Sequence, residues 1–600
     1  MSESSSTEKK NAYVVQDLEK ENLDTGYSID NVSRVETAAP DSQSDTHKSR
    51  WQNFKDSFKP VELEELDPNL TEAEKIAVAT ARSPLQRDLT PFAIQMISLG
   101  GAIGTGLFVG SGNSLRTGGP AGILIGYGIS GTFIYTMIVA AGELAVTFPI
   151  SGGIVTYPTR MVEESFGFAL AFNYMFQWLV VLPLELVAAS ITVNYWGTPD
   201  RYRDGFVALF YLVVVCINLF GVKGYGMAEC VFSMIKVTTV VGFIILGIIL
   251  TCGGGPVKGY IGGKYFHALP LVGDTEGERF KGVMSVFVSA AFAFAGSELV
   301  GLAAAETKDP RRALPKAAKQ TFWRITLFYM LSLLMVGLLV PYTNPRLIGS
   351  SSADATASPF VLAIETHGIK GLPSLINVVI LISVLSVGNS AVFGCSRSLC
   401  AMAEQGFIPH WFRYIDRSGR PLVGIITTCT FGLLCFLAAS PKEGLVFDWL
   451  YAIAGLSSLF TWFSIMLCHI RFRRALSAQN RSTDELSYLA PTGVWGSYYG
   501  CFIIFLVLVA QFWIAVWPTG TKPNANDFFQ QYLSLPVVLF MYIVHKLWRR
   551  DWTIFIRAKD IDIDTGRRET DLEALKAELA EERAILAAKP IWYRVYKFWC

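Results

Sequence analysis

Apolar blocks of about 20 residues recur along this chain between residues 92 and 548, and nothing else constrains its fold as strongly. Crossing about 30 Å of hydrocarbon at 1.5 Å per residue takes roughly 20 residues of helix, so repeated blocks of that length read as membrane spans. At 51% hydrophobic and 17% charged over 600 residues, the composition excludes a string of soluble domains. The expected class is an all-α polytopic membrane protein with about twelve spans. These fall at 92–112, 120–147, 168–195, 205–221, 227–251, 283–305, 321–341, 373–400, 421–440, 447–470, 497–517 and 529–548.

The opening MSESSSTEKK lacks the apolar core of a signal peptide, which places the amino terminus in the cytoplasm. Residues 1–88 are rich in Ser, Asp, Glu and Lys and read as a disordered cytoplasmic tail; 89–548 form the twelve-helix domain, and 549–600 a second cytoplasmic tail. In that tail Leu572, Leu575 and Leu579 recur at helical spacing, as in a peripheral amphipathic helix over 571–589; a solvated helix is the other reading. Loops expected inside carry Arg160, then Lys308, Arg311, Arg312, Lys316 and Lys319, then Arg413, Arg417 and Arg420, then Arg471 to Arg481, whereas outer loops are poorer in basic residues. The positive-inside rule supports that orientation. The net charge of +1 points to no nucleic-acid partner. Eight of the ten cysteines lie in or beside spans, as packing residues do, and make no disulfide or zinc pattern.

The first span contains SLGGAIGTGLFVGSG (98–112), dense in the weakest helix former other than proline. Its glycine order does not match G-x-G-x-x-G and no strand precedes it, so a dinucleotide fold is excluded. Gly106 and Gly110 make a small-residue packing pair, one explanation of the bias. The sixth span, SVFVSAAFAFAGSELVGLAAAE (285–306), is also interrupted midway, at Gly296 with Glu298 beside it. Matching interruptions five spans apart point to a 5+5 inverted repeat with discontinuous helices 1 and 6 and two further helices. Unwinding over 102–106 frees amides at the positive end of one half-helix and carbonyls at the end of the other. Lipid cannot satisfy such groups. An α-amino acid can, its carboxylate on the amides and its ammonium on the carbonyls, with the Thr105 hydroxyl as a further donor.

Three acidic residues and one basic residue stand well inside apolar spans, away from the span ends: Glu143, Glu185, Glu298 and Lys236. Each costs on the order of 3 kcal/mol even on the lenient insertion scale, so each is paired or functional. Lys236 is the candidate to gain and lose a proton; a fixed ion pair with a glutamate is the alternative. Glu298 touches the second break and is assigned to that site or to the proton path, Glu185 to a partner across the bundle, and Glu143 to helix packing. The six histidines fall in tails, loops or span ends, which argues against a histidine relay.

GGAIGTGLFVGSG, FPISGG, QWLVVLPLELVAASITVNYW, AFAGSELVGLAAAETKDPRRALPKA, SVGNSAVFGCSRS and the tail from DIDTGRRE to FWC together resemble the fungal amino-acid permeases of the amino acid–polyamine–organocation superfamily, their general permeases above all. The likeness runs from about Trp51 to Cys600. It implies the fold shared with leucine transporters, a plasma-membrane location and import of amino acids with protons, the proton being the coupling ion and no cofactor being needed. It implies a carboxylate held on Thr105 and Gly106, with Gly104 in the unwound turn, and an ammonium held on Ala102, Ile103, Phe292 and Ala295. Phe292 or Phe294 would close over the substrate, and Ser386, Val387 and the stretch 457–462 would line its side-chain pocket. Lys236 matches the position of the sodium site in sodium-driven relatives, which disfavours sodium because an ammonium repels a second cation. Lys9 and Lys10 match ubiquitin-accepting lysines, with ligase and adaptor partners at the tails, and Cys600 matches a palmitoylated cysteine at the lipid surface.

The function expected is therefore a broad-specificity amino-acid/proton symporter. An amino-acid-sensing receptor and a narrow-specificity permease are the alternatives. A channel would need a filter repeat that the sequence does not contain. An enzyme would need a triad, metal cluster or phosphate loop, and the polar segments offer none.

Overall fold

The computed structural model describes residues 91–567 apart from 258, 269, 308–309, 348–357, 440–442 and 519–521, together with 52, 55–61, 85, 89–90 and a few positions between 577 and 594. Residues 58–600 form one compact unit; of the other, 1–57, only Gln52, Lys55, Asp56 and Ser57 are described. Lys9, Lys10, Cys600 and the leucines of the expected amphipathic helix lie outside the described residues.

Among the described residues the chain is helical and contains no strand. The first span is α1 (Pro91–Ala102), α2 (Thr105–Phe108) and the start of α3 (Gly110–Thr147). Thr90 caps α1 through its hydroxyl and Pro91 takes the first helical position, where no amide is needed. Gly119, at φ 75°, divides α3 into the end of the first span and, from Pro120, the second. Residues 113–118 are therefore helical, where the hydropathy pattern places a loop.

There follow α4 (Gly153–Met161), α5 (Glu164–Val193), α6 (Arg203–Leu219) and α7 (Gly221–Thr251). The second broken helix is α8 (Glu276–Phe294) with α9 (Leu299–Leu302). Then come α10 (Pro310–Leu339), α11 (Leu372–Glu404), α12 (Leu422–Gly432), α13 (Glu443–Ala478), α14 (Gly493–Val516) and α15 (Ser534–Arg549). Among the described residues eight helical stretches are long and apolar enough to cross a membrane, and Thr326–Leu339 and Leu422–Phe436 are shorter apolar ones. The expected spans at 205–221 and 529–548 hold α6 and α15, of 17 and 16 residues.

Burial sets the radial order. In its most apolar window α5 is 94% buried, against 28% for α7 and 33% for α14, so α5 is a core helix and the other two face lipid. α5 lies along α11 and α13, and α3 along α8 and α10. Glu143 has the packing role expected of it: it receives Arg473 Nη2 at 2.8 Å and the Ala490 amide at 2.7 Å, with His469 Nε2 3.0 Å from its other oxygen. His469 sits at the edge of its expected span yet is fully buried. The segment after α15 folds back on the loops that follow α4 and α13: the Ile556 amide donates to the Val162 carbonyl at 2.9 Å, and Asp562 pairs with Arg160 at 3.1 Å.

Candidate functional site

Both interruptions occur where the glycine-rich stretches stand, and they are short. Only Ile103 (φ −76°, ψ 96°) and Gly104 (φ −151°, ψ −147°) leave the helix in the first, a narrower gap than 102–106. The second runs from Ala295 (φ −57°, ψ 143°) through Gly296 at φ 95° to Glu298. Thr105 and Gly106 open α2, so their amides have no carbonyl one turn back. The two breaks touch: a β-carbon on Gly296 would lie 2.7 Å from the Gly101 carbonyl carbon.

Around the contact lies a cavity of about 290 Å³, mouth included, lined by Gly101, Ala102, Gly104, Thr105, Gly106, Phe292 and Ala295 from the broken helices. Gln177, Trp178, Val181 and Glu185 of α5 and Val387 of α11 complete it. The Thr105 hydroxyl donates to Glu185 Oε2, while Glu185 Oε1, Gln177 Oε1 and Trp178 Nε1 are buried without a hydrogen-bond partner among the described residues. A cavity with a mouth, such buried polar groups and exposed helix-end amides has the makings of a polar-ligand site.

Several expected residues stand elsewhere. Ile103 is fully buried and outside the lining. Phe294 stacks on Tyr329 with centroids 4.7 Å apart, so of the two phenylalanines it is Phe292, in contact with Tyr451, that lines the cavity. The Tyr329 hydroxyl is shared between the carbonyls of Ala102 (2.8 Å) and Ala293 (2.7 Å), and the Phe292 carbonyl receives the Ala295 amide at 3.2 Å. Each such carbonyl keeps one lone pair for a ligand. Glu298 binds the second break itself, accepting from the Gly296 amide at 3.1 Å and from Trp462 Nε1 at 3.2 Å.

Lys236 is fully buried and donates to the Gly100 carbonyl at 2.6 Å and to Ser386 Oγ at 2.9 Å. It thus clamps α1 one turn before the gap. Ser386 is taken up by this contact and does not line the cavity. Its hydroxyl in turn donates at 2.6 Å to Glu229, a buried acid the hydropathy reading leaves out. Glu229 lies three residues into the expected span 227–251; its signal in the sequence is the spacing to Lys236, seven residues on and so on one face.

The family model for amino acid permeases matches residues 93–558. The chain belongs to the amino acid permease family. It is 66% identical over 553 residues to the general amino-acid permease GAP1 of Saccharomyces cerevisiae, covering 92% of each chain. It is 58% identical to the general amino-acid permease GAP2 of Candida albicans, over 96% of this chain and 97% of that one. A solved nucleobase-cation-symport-1 family transporter, Mhp1 in a closed conformation, aligns with a TM-score of 0.44 at 12% identity, over 80% of this chain and 98% of its own. This permease is a multi-pass membrane transporter and not an enzyme.

Glu185 is singled out in the sequence by its charge, but its α5 neighbours at the site, Gln177, Trp178 and Val181, are not. Gln177, Val181 and Glu185 recur every four residues with Trp178 adjacent, a pattern visible in QWLVVLPLE. A polar face on an otherwise apolar span is the signal that finds it.

Proposed function

We propose that this permease imports L-amino acids with protons across the plasma membrane, with broad specificity. The observation that carries the reading is the meeting of two backbone breaks at one cavity. There the amides of Thr105 and Gly106 suit a carboxylate, and the carbonyls beside Phe292 and Ala295 suit an ammonium. A zwitterion is bound by main-chain groups that every amino acid can use, and breadth follows where its side chain meets Val181, Val387 and Phe292, the apolar part of a lining that also holds Gln177 and Glu185. The general permeases among the relatives support the same breadth.

Lys236 supports the proton over sodium, because a buried amine can hold or release a proton where an added cation would be repelled. On the resemblance alone, Lys9 and Lys10 are ubiquitin acceptors and Cys600 a palmitoylation site. The test is competition of labelled uptake by all twenty amino acids at two external pH values, in a host without its own permeases. Broad competition with faster uptake at acid pH is the expected result. Competition by one or two amino acids, or uptake indifferent to pH, removes breadth or proton coupling respectively.

A further inference from the structure

The inner face of α7 is built as Glu229, Ser233, Lys236, Val240, Phe243 and Gly247, while Met227, Val231, Met234 and Ile245 point outward. Seven residues of helix separate Glu229 from Lys236 by about 10 Å along the axis, toward the Gly221 end. The Ser386 hydroxyl of α11 fills the space between them, accepting from Lys236 Nζ at 2.9 Å and donating to Glu229 Oε2 at 2.6 Å. Behind it, Glu229 Oε1 accepts from Asn389 Nδ2 at 3.0 Å, and Asn389 Oδ1 accepts from Asn218 of α6 at 2.7 Å.

Glu229 and Lys236 are both fully buried. The cation facing Glu229 is Lys236; α11 and α6 bring neutral groups, and α1 brings the Gly100 backbone, where a β-carbon would lie 2.3 Å from Glu229 Oε2. Tyr225 and Cys230 are the other titratable groups near it on α7, and Arg397, further along α11, is engaged by Glu306. Glu185 lies on the opposite side of the α1 break, against Thr105.

We propose that Glu229 is the next proton-holding residue after Lys236 in the transport cycle, reached through the Ser386 hydroxyl; the assignment rests on the proton-symport reading above. A proton leaves Lys236 Nζ for Ser386 Oγ as the Oγ proton passes to Glu229 Oε2. One N–H and one O–H bond break and two O–H bonds form, turning ammonium and carboxylate into amine and carboxylic acid. Loss of that proton toward the Gly221 end of α7, rotation of the hydroxyl and uptake of a fresh proton by the Lys236 amine restore the start. A purely structural Glu229 would neutralise Lys236 without changing its own state.

The full-length permease in proteoliposomes distinguishes the two. Accumulation driven by an acid-outside gradient needs net proton release; counterflow exchange without a gradient does not. Glu229→Gln and Ser386→Ala are expected to lose accumulation by roughly tenfold or more, with counterflow within about twofold, and Glu229→Asp to recover much of it. Accumulation by Glu229→Gln at the wild-type level overturns the proposal, as does a parallel fall of both readouts in all three variants. A wild-type protein that exchanges but ignores the gradient refutes proton symport itself, and the relay with it.

Discussion

Gly106 explains why weak helix formers are placed where a helix must stand in lipid. A β-carbon there would lie 2.4 Å from the Ala293 Cα, and one on Gly110 would lie 2.3 Å from the Tyr451 hydroxyl. Close packing and unwinding are thus not rival explanations: the same short stretch lets two broken helices touch and leaves two residues out of the helix. Gly106→Ala meets backbone on the facing helix, an overpacking of about 1–3 kcal/mol. Uptake per molecule at the surface should fall by roughly tenfold, the rate equivalent of about 1.4 kcal/mol. Gly128→Ala, whose nearest neighbour is Met330 at 3.6 Å, should leave uptake and thermal stability near wild type, since alanine favours a helix. Equal uptake by the two variants would contradict the packing argument. Lys236→Met removes the contacts to Gly100 and Ser386, and uphill accumulation should drop to background; unchanged accumulation would remove Lys236 from the proton path.

At the scale of elements, both helix breaks and the alternation of spans were legible because hydrocarbon thickness and glycine placement act locally on the chain. The helix ends were less so. α10 begins at Pro310, eleven residues before its expected span, and α11 and α13 continue to Glu404 and Ala478, because polar helical turns outside the bilayer carry no hydropathy signal. Glu229, Tyr329 and Trp462 owe their roles to partners far away in sequence, which one chain read along its length does not reveal. The segment after α15 belongs here too. Arg481 bonds to Glu485 at 2.7 Å and to Asp564 at 3.0 Å, and Arg567 reaches Glu485 at 3.1 Å. Hydrogen bonding from Arg481, with Arg567 behind it, holds the Glu485 carboxyl below the usual carboxylate range. A carboxyl so lowered stabilises the folded state above its unfolded value and loses that contribution as pH falls through the folded one. Docking of 551–567 should therefore hold at neutral pH and loosen only in acid, below about pH 4. Arg481→Ala should speed amide exchange in that segment at neutral pH; exchange at the wild-type rate would show that the ion pairs do not hold it.

The whole molecule packs an α5-centred core around two gaps in its own backbone, and three of the charged residues it buries border those gaps. Lys236 grips α1 before the first gap, Glu185 holds Thr105 after it, and Glu298 closes the second. On the proposed reading, selectivity for the amino and carboxyl groups resides in the main chain, and selectivity for the side chain in the side chains that line the cavity. The most direct measurement is competition of labelled uptake by an amino acid, its methyl ester and its decarboxylated amine at one pH. Only the intact zwitterion should compete, because either analogue leaves one set of backbone groups unpaired. Competition by the ester or the amine equal to that of the parent amino acid would contradict the account.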